Sequence, residues 1–507
     1  MLETITREFS LFSHVFGSIL TAPNILMMIF GTLGGIVIGA IPGLTATMAL
    51  ALLINVSYGM NMDLALSFLL SVYVGAVTGG CISATMINIP GTPSAAATAL
   101  DGFPLAKKGK GGLAIGVGII ASFFGMIISI ISLIVLTPII SKLALKFGHW
   151  EMFLISVFGI MICGNLTTED APVKGWIVGF LGILTAMVGL DAVYAYPRFT
   201  FNLLQLKGGI SLIPALIGLF GISEVVSVLQ EKEPYKIEGK VGRVVPDWKD
   251  IKSLIPISIR SGIIGMLIGV IPGAGEDIGA WVSYDVGKRR SKHPERFGKG
   301  SIEGVACAET ANNAVVGGAM IPLLTLAIPG SPPAAMVLAA MWLHGVRPGP
   351  LLNFEFPGFL YAVAIVLLLC SVFMLIWGLA LAKPMVSVLK IKREILMPII
   401  VPLTVIGAYA GGVRIFDVYV MFFFGLLGYV LRNLEYPMAP LVLGIILGPM
   451  ADVSFRRAMM QTKGSLLPLL TRPMGLVFVV AIIWIIYSGY RRTQQLKRLA
   501  SEVASEA

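Results

Sequence analysis

The chain has 507 residues, of which 56% are hydrophobic and only 13% are charged, and its mean hydropathy is +0.89. Because soluble proteins carry about 25% charged residues, this composition excludes an ordinary water-soluble enzyme, a disordered scaffold and a nucleic-acid-binding module. Four runs without Asp, Glu, Lys or Arg each offer one or two crossings at about 20 residues per span: residues 9–62, 64–100, 111–141 and 310–346. The sequence therefore predicts an all-α, multi-pass membrane protein.

The net charge of +10 is concentrated in a few loops and in the tail. The clusters are Lys288, Arg289, Arg290, Lys292, Arg296 and Lys299, then Lys107, Lys108 and Lys110, and finally Arg491, Arg492, Lys497 and Arg498. Basic residues beside membrane segments are typical cytoplasmic anchors, so they do not indicate a nucleic-acid partner. They predict that the tail, residues 491–507, is cytoplasmic.

Four cysteines and four histidines are scattered along the chain. No Cys-x-x-Cys or His-Glu-x-x-His pattern joins any of them. We therefore predict no disulfide framework, no transition-metal site and no cofactor.

Two motifs occur twice in the same order. Residues 39–43, Gly-Ala-Ile-Pro-Gly, recur as Gly-Val-Ile-Pro-Gly at 269–273, and residues 89–96, Ile-Pro-Gly-Thr-Pro-Ser-Ala-Ala, recur as Ile-Pro-Gly-Ser-Pro-Pro-Ala-Ala at 328–335. This order and spacing predict an internal duplication.

The loops suggest that the two halves are oppositely oriented. After the first motif, loop 55–61 has no basic residue while its counterpart 287–300 has six; after the second motif the bias reverses. If basic loops face the cytoplasm, this indicates an inverted-topology repeat with a site near the midplane, although the charges could be incidental. The predicted division is residues 1–230 for the first repeat, 231–252 for a polar connecting loop, 253–490 for the second repeat and further membrane helices, and 491–507 for the tail.

Further apolar segments lie near residues 359–382, 395–410, 416–431, 438–450 and 473–490. With the earlier runs they give roughly ten to thirteen membrane elements, on the basis of about 20 residues per crossing. Hydropathy leaves open which of them are full spans and which are re-entrant.

The second motif predicts a helix that breaks and restarts inside the membrane. Pro90 lacks a backbone donor and Gly91 permits a left-handed turn, so the incoming helix is expected to end there. Thr92 suits an N-cap and Pro93 suits the first helical position, and Ser331 and Pro332 repeat this arrangement. Such breaks are tolerated where they are buried in protein or line a cavity, where N–H groups can bind an anion and carbonyls a cation. The alternative is a proline kink that serves packing alone.

Ionisable and amide side chains interrupt the apolar second half. Glu276 and Asp277 begin a helix and are interpreted either as cation or proton ligands or as carboxylates that complement a helix N-terminus. Glu309, Asn312 and Asn313 share one helical face, which favours a coupling-ion or substrate role over hydrogen bonding between helices.

Taken together, these motifs resemble the large membrane subunit of the tripartite tricarboxylate transporter family. The resemblance rests on Gly-Ala-Ile-Pro-Gly-Leu-Thr-Ala-Thr from Gly39, on 88–93 with Asp101-Gly102 and 104–109, and on the run from Gly269 through Tyr284, 288–294, 300–305, Asn312-Asn313 and 328–332. It spans essentially the whole chain. Cys307 and the pair Glu276-Asp277 depart from it, since smaller or less acidic residues are expected there.

The resemblance implies a subunit of a bacterial inner-membrane permease. Its expected partners are a periplasmic solute-binding protein and a small membrane subunit, and its expected cargo is citrate or another carboxylate, driven by a sodium or proton gradient. By analogy with other inverted-repeat carboxylate transporters, we expect an elevator-type movement.

The expected binding residues fall into two sets. For the substrate they are Gly43, Thr45, Thr92, Pro93, Ser94, Gly273, Ser331 and Pro332. For the cation they are Asn88, Pro90, Gly91, Asp277, Glu309, Asn312, Asn313, Pro329 and Gly330.

Two other classes of function are alternatives to ion-coupled carboxylate transport. A membrane-embedded enzyme is disfavoured because Gly273-Ala274-Gly275-Glu276-Asp277 does not keep the Gly-x-Gly-Asp run of intramembrane aspartyl proteases, and no phosphate-binding loop is present. A passive structural subunit or channel is the other class, but it gives no purpose to the polar face of Glu309, Asn312 and Asn313, whose counterparts in the first half are Ser71, Val74 and Gly75. An organic-anion carrier or channel that needs no binding protein stays open as the alternative.

Overall fold

The computed structural model describes residues 2–167, 171–230, 241–389 and 393–506. Most of this is helix, and the strands within it are β1 (Gly189–Leu190) and β2 (Pro197–Arg198), paired antiparallel with Gly189 opposite Arg198. The helices of the first half are α1 (Leu2–Ile19), α2 (Ala22–Ala40), α3 (Ala46–Leu53), α4 (Met62–Ile87), α5 (Ala96–Lys107), α6 (Gly111–Ala144), α7 (His149–Thr167), α8 (Pro172–Ala186), α9 (Leu204–Lys207), α10 (Leu212–Leu216) and α11 (Ser223–Gln230). A 3₁₀ turn (Pro93–Ala95) precedes α5, and a π-helical turn (Ile217–Ile222) joins α10 to α11.

The second half continues in the same way, with a 3₁₀ turn at Pro294–Arg296. Its helices are α12 (Trp248–Val270), α13 (Gly275–Arg290), α14 (Ile302–Leu326), α15 (Pro332–Leu343), α16 (Leu352–Glu355), α17 (Phe359–Val388), α18 (Arg393–Ala410), α19 (Ile415–Asn433), α20 (Met438–Gln461), α21 (Pro468–Thr471) and α22 (Pro473–Glu506). The tail predicted at 491–507 therefore begins within α22, while residues 231–240 of the predicted connecting loop lie outside the described part of the chain.

In the described residues, ten helical segments are long and apolar enough to cross a membrane. They are Ala22–Ala40, Met62–Ile87, Gly111–Ala144, His149–Thr167, Leu212–Gln230, Trp248–Val270, Phe359–Val388, Ile415–Asn433, Met438–Gln461 and Pro473–Gln495. Shorter apolar helices accompany them, among them Pro172–Ala186 and Pro332–Leu343. The prediction of an all-α, multi-pass membrane protein is confirmed.

Helix α14 lies at the centre although it is not among these ten segments. Every residue from Gly304 to Leu326 is buried, including the polar Glu309, Asn312 and Asn313. It packs most extensively against α6 and α12, while α4 packs against α2 of the first half and α17 of the second. Burial on all sides explains how a helix with this polarity is accommodated in an apolar protein.

Both halves interrupt their helices at matching places. The chain breaks between α2 and α3 and between α4 and α5, and again between α12 and α13 and between α14 and α15. In each half the glycine of the second motif packs against a carbonyl of the first: a Cβ on Gly91 would lie 2.0 Å from the Gly39 oxygen, and a Cβ on Gly330 would lie 2.0 Å from the Gly269 oxygen. The same close backbone contact thus recurs in both halves, whereas their opposite orientation in the membrane stays a prediction.

One expectation about these breaks was wrong. The residues in left-handed backbone conformation at the ends of α4 and α14 are Asn88, with φ 58°, and Ala327, with φ 57°. Gly91 and Gly330 do not have positive φ. Glycine is required at these two positions because of the close approach to the neighbouring helix, and the turn occurs three residues earlier.

Candidate substrate site

The beginnings of four interrupted helices meet at one cavity of about 280 Å³. Helices α3, α13 and α15 contribute their first turns, and α5 contributes the 3₁₀ turn that leads into it. The lining residues are Thr45, Ala46, Thr47, Val77, Thr92, Pro93, Ser94, Leu219, Phe220, Ser223, Glu224, Glu276, Asp277, Pro332, Pro333, Arg432 and Met438. Since helix N-termini carry unpaired N–H groups and a partial positive charge, this cavity suits an anion.

The predicted substrate residues are largely brought together there. Thr45, Thr92, Pro93, Ser94 and Pro332 line the cavity. The remaining three lie in the adjoining turns: Ser331 is the N-cap of α15, while Gly43 and Gly273 have φ of +86° and +67° and form the turns before α3 and α13.

The hydroxyl groups at these N-termini are used in different ways. Thr45 Oγ1 accepts from the Met48 amide at 3.1 Å, and Ser331 Oγ accepts from the Ala334 amide at 3.3 Å, so both cap their helices. Thr92 occupies the cap position without making such a bond, and its hydroxyl pairs with Ser94 Oγ at 2.9 Å. Because that bond uses only one of the two hydroxyl hydrogens, the Thr92–Ser94 pair retains a donor for a ligand.

A series of side-chain hydrogen bonds joins the two halves beside the cavity. Tyr73 Oη donates to Glu276 Oε1 and lies 2.8 Å from Ser331 Oγ. Since the single phenolic hydrogen is directed to the carboxylate, Ser331 is the donor to Tyr73. The hydrogen bonds therefore run from Ser331 to Tyr73 and from Tyr73 to Glu276. The buried carboxylate of Glu276 lies in the first turn of α13.

The breaks of the second half are hydrogen-bonded to each other. Gly273 N donates to the Pro329 carbonyl at 3.2 Å, and Gly275 N donates to the Gly330 carbonyl at 3.1 Å. The two carbonyls expected to hold a cation therefore each use one lone pair within the protein. Among the described backbone hydrogen bonds, no equivalent pair involves the Pro90 or Gly91 carbonyl of the first half.

Glu309 forms a second, fully buried polar cluster. Thr98 Oγ1 donates to its Oε1 at 2.6 Å, and Ser122 Oγ approaches its Oε2 at 3.3 Å. Asn313 Nδ2 donates to Ser122 at 2.7 Å, and Thr78, next to the cavity-lining Val77, donates to Asn313 Oδ1 at 2.8 Å. The cluster thus joins α4, α5, α6 and α14 behind the cavity.

Asn312 differs from its neighbours in this cluster. It is completely buried, and among the described residues its amide oxygen and nitrogen make no hydrogen bond of normal geometry, although the amide lies close to the Glu309 carboxylate. An unpaired buried amide is costly, so the site is suited to a ligand that the oxygen could coordinate.

The predicted cation residues are not all gathered in one place. Glu309, Asn312 and Asn313 lie together on α14, and Asp277 lines the cavity. Pro329 and Gly330 lie in the second break, while Asn88, Pro90 and Gly91 lie in the first, where Asn88 is exposed. The described hydrogen bonds do not connect Asn88 to the Glu309 cluster.

Sequence reasoning missed several residues of the cavity wall. Glu224 and Arg432 form an ion pair there, next to Phe220 of the π-helical turn, and Tyr73 makes the contact with Glu276. Arg432 follows the apolar segment 416–431 directly, a position that normally indicates a membrane-surface anchor. Glu224 carried a usable signal, because a carboxylate within an apolar helix is costly without a partner.

The chain is similar to known proteins along most of its length. The family model described as the tripartite tricarboxylate transporter TctA family matches residues 25–443. An uncharacterized 52.8 kDa protein in the TAR-I ttuC' 3' region of Agrobacterium vitis is 34% identical over 463 residues, covering 91% of this chain and 92% of the relative. A protein of the TAR-II ttuC' 3' region in the same organism is 39% identical over 223 residues, covering 43% of this chain and 92% of the relative.

No solved structure gives a significant match to this chain. The assignment therefore rests on the family model, whose match extends across the interrupted helices of both halves, and on the relative that aligns with 91% of this chain. The chain belongs to the tripartite tricarboxylate transporter TctA family, and it is a membrane transporter component.

Proposed function

We propose that this chain is the subunit that carries a citrate-like carboxylate across the bacterial inner membrane, together with a sodium ion or a proton. In this proposal a periplasmic solute-binding protein delivers the substrate, a small membrane subunit completes the complex, and the C-terminus is cytoplasmic. No chemical reaction is catalysed. The observation that carries the proposal is the meeting of four helix N-termini at one cavity.

The anion part of the site follows from the chemistry of those N-termini. The first turns of α3 and α13 offer backbone N–H groups, and the Thr92–Ser94 pair before α5 offers a hydroxyl donor. Helix α15 begins with Pro332 and Pro333, which have no N–H, so it contributes the partial positive charge of its N-terminus. Carboxylate oxygens accept several such hydrogen bonds at once, and hydrogen bonds to a charged group are about twice as strong as neutral ones. The cavity wall supplies Phe220, Leu219 and Met438 as apolar surface against the carbon skeleton.

The cation part follows from the balance of charge. In the described part of the chain, no basic side chain forms an ion pair with Glu276, Asp277 or Glu309. An anion entering beside Glu276 and Asp277 would be repelled unless a cation or a proton arrived with it. The substrate and the coupling ion then each favour the binding of the other. Symport requires this mutual dependence.

We assign the coupling ion to the carboxylates and to the amides around them. Glu309, Asn312 and Asn313 offer oxygen ligands behind the cavity, and Asp277 offers one within it. The carbonyls of the two breaks, at Pro90, Gly91, Pro329 and Gly330, are further candidate ligands, as is Asn88. Hard cations such as Na⁺ prefer oxygen ligands, and a carboxylate can carry a proton instead.

The runner-up is an autonomous organic-anion carrier or channel that needs no binding protein. We distinguish the two by uptake of labelled citrate, succinate and lactate into proteoliposomes that contain the chain and its small subunit. Binding protein, a sodium gradient and a proton gradient are added or omitted separately.

Uphill uptake that needs the binding protein and one gradient would support the proposal and identify the ion. Uphill uptake without binding protein would support the autonomous carrier, and purely downhill flux would support a channel. Absence of uptake of all three carboxylates under every gradient would contradict the substrate class. For the elevator movement, two trapped conformations should show displacement of residues 89–96 and 328–335; unchanged positions would contradict it.

A further inference from the structure

One wall of the cavity carries an arginine that is already bound to a carboxylate. Arg432 lies near the end of α19 and Glu224 lies in the first turn of α11, and Arg432 Nη1 donates to Glu224 Oε2. Both residues line the cavity, and among the described residues that line it Arg432 is the one basic side chain. The arginine side chain is 51% exposed, whereas that of Glu224 is 11% exposed.

The backbone that holds this pair is unusual. Glu224 follows the π-helical turn Ile217–Ile222, and such turns occur frequently at functional sites. The turn packs tightly on α19, because a Cβ on Gly218 would lie 2.2 Å from the Met421 carbonyl oxygen. Arg432 and Glu224 are therefore held on two elements with little freedom to separate or slide.

The helix N-termini and Arg432 provide two different anion-binding groups in one cavity. The N-termini provide N–H groups and hydroxyls, whereas Arg432 provides a planar guanidinium that matches a carboxylate with two parallel hydrogen bonds. A ligand with a single carboxylate can occupy only one of them. A ligand with two or more carboxylates can occupy both.

We propose that Arg432 binds a second carboxylate of the substrate, and that Glu224 takes the place of this carboxylate while the site is empty. This inference rests on the proposed function. Arg432 is then the residue that selects di- and tricarboxylates over monocarboxylates. Glu224 competes with the substrate for the same guanidinium, so it weakens binding while keeping the arginine oriented.

A purely structural ion pair is the competing explanation, and the chain offers a matched control for it. At the other end of α19, Arg414 Nη2 donates to Asp417 Oδ1 at 2.8 Å and to Ser211 Oγ, and neither Arg414 nor Asp417 lines this cavity. The two arginines share a helix, a carboxylate partner and partial exposure. Only Arg432 should affect the choice of ligand.

The test is equilibrium binding of labelled citrate, succinate and lactate to the purified full-length chain. The variants are Arg432→Gln, Arg432→Lys, Glu224→Gln and Arg414→Gln, and each preparation is checked for thermal stability. Hydrogen bonds to charged groups contribute enough to change affinity roughly 10- to 100-fold. Arg432→Gln should therefore weaken citrate and succinate binding by that factor and leave lactate binding within about threefold, because lactate needs only the N-termini.

The other variants separate selection from folding. Arg432→Lys should bind citrate more tightly than Arg432→Gln but less tightly than the unchanged chain. Lysine keeps the positive charge but cannot make two parallel hydrogen bonds to a carboxylate. Glu224→Gln should bind citrate more tightly than the unchanged chain. Arg414→Gln should leave the ratio of citrate affinity to lactate affinity unchanged. Equal weakening of all three ligands by Arg432→Gln, or weaker citrate binding by Glu224→Gln, would overturn the inference while the proposed function stood. If the unchanged chain bound none of the three carboxylates, the proposed site itself would be contradicted.

Discussion

The breaks of the first half and those of the second half have similar packing but different side chains. In both halves a glycine of the second motif presses on the carbonyl of a glycine in the first, at the same distance. Yet the first turn of α3 presents Ala46 and Thr47 where that of α13 presents Glu276 and Asp277. The same backbone contact recurs in both halves, whereas the side chains beside it differ in charge.

This difference suggests a division of labour within one cavity. The first half contributes neutral hydroxyl donors, including the pair Thr92 and Ser94, which suits an anion. The second half contributes two carboxylates and has its breaks joined by backbone hydrogen bonds, which suits a cation on a more rigid support. The coupling ion is then bound mainly by the second half, whereas the substrate contacts both halves, through the hydroxyl donors of the first and Arg432 of the second.

One added methyl group should disrupt the contact between glycine and carbonyl oxygen in either half. Gly91→Ala and Gly330→Ala each place a carbon 2.0 Å from a carbonyl oxygen, so the two helices must separate. Overpacking typically costs about 1–3 kcal/mol and sometimes more, and here the obstacle is backbone. Both variants should show a strongly lowered melting temperature in detergent and no uptake.

Gly34→Ala is the control for this pair. It lies in α2, has no atom within 4 Å of the added carbon, and should be stabilised by up to about 1 kcal/mol through helix propensity. If only one of the two motif variants were destabilised, the packing of the halves would not be equivalent.

Removing a charge from the second half should uncouple transport. Glu276→Gln keeps the size of the side chain but no longer requires a compensating cation, so uphill uptake of citrate should fall about 100-fold, in line with the contribution of a buried charged group. Exchange of citrate across the membrane without a gradient should persist. The measurement is gradient-driven uptake beside counterflow in the same proteoliposomes.

Glu303→Gln provides the comparison, because Glu303 accepts from Ser291 and lies outside the cavity. It should leave both modes of transport nearly unchanged. Retention of full uphill uptake by Glu276→Gln would show that this carboxylate takes no part in coupling.

Adding a charge to the first half should weaken the anion site. Thr47 corresponds to Asp277, so Thr47→Asp places a carboxylate among the hydroxyl donors and makes the two halves alike. Like-charge repulsion in a partly buried cavity should raise the KM for citrate roughly 10- to 100-fold. Thr47→Asn has the same shape without the charge and should change KM much less. Similar KM values for the two variants would argue against an anion site at α3.

The sequence predicted the elements of this arrangement better than their contacts. The breaks at residues 88–92 and 327–331, the duplicated motifs and the buried face of Glu309 follow from proline, glycine and helical spacing. The roles of Gly91 and Gly330 did not, because close approach to another helix depends on tertiary packing. Arg432 and Tyr73 were missed for a related reason: each contacts a carboxylate about 200 residues away along the chain, on Glu224 and Glu276 respectively.

The smallest expected effect tests the hydroxyl donor of the first half. Ser94→Ala removes one member of the Thr92–Ser94 pair, so the remaining Thr92 hydroxyl loses the partner that orients it. The weaker hydrogen bond to a charged ligand should raise the KM for citrate about 5- to 10-fold. Stability should be nearly unchanged, since neither hydroxyl caps its helix. Ser371→Ala, which removes a hydroxyl that donates to the Leu368 carbonyl within α17, should leave KM unaltered. A KM for Ser94→Ala equal to that of Ser371→Ala would move the anion away from the start of α5 and toward the other three N-termini.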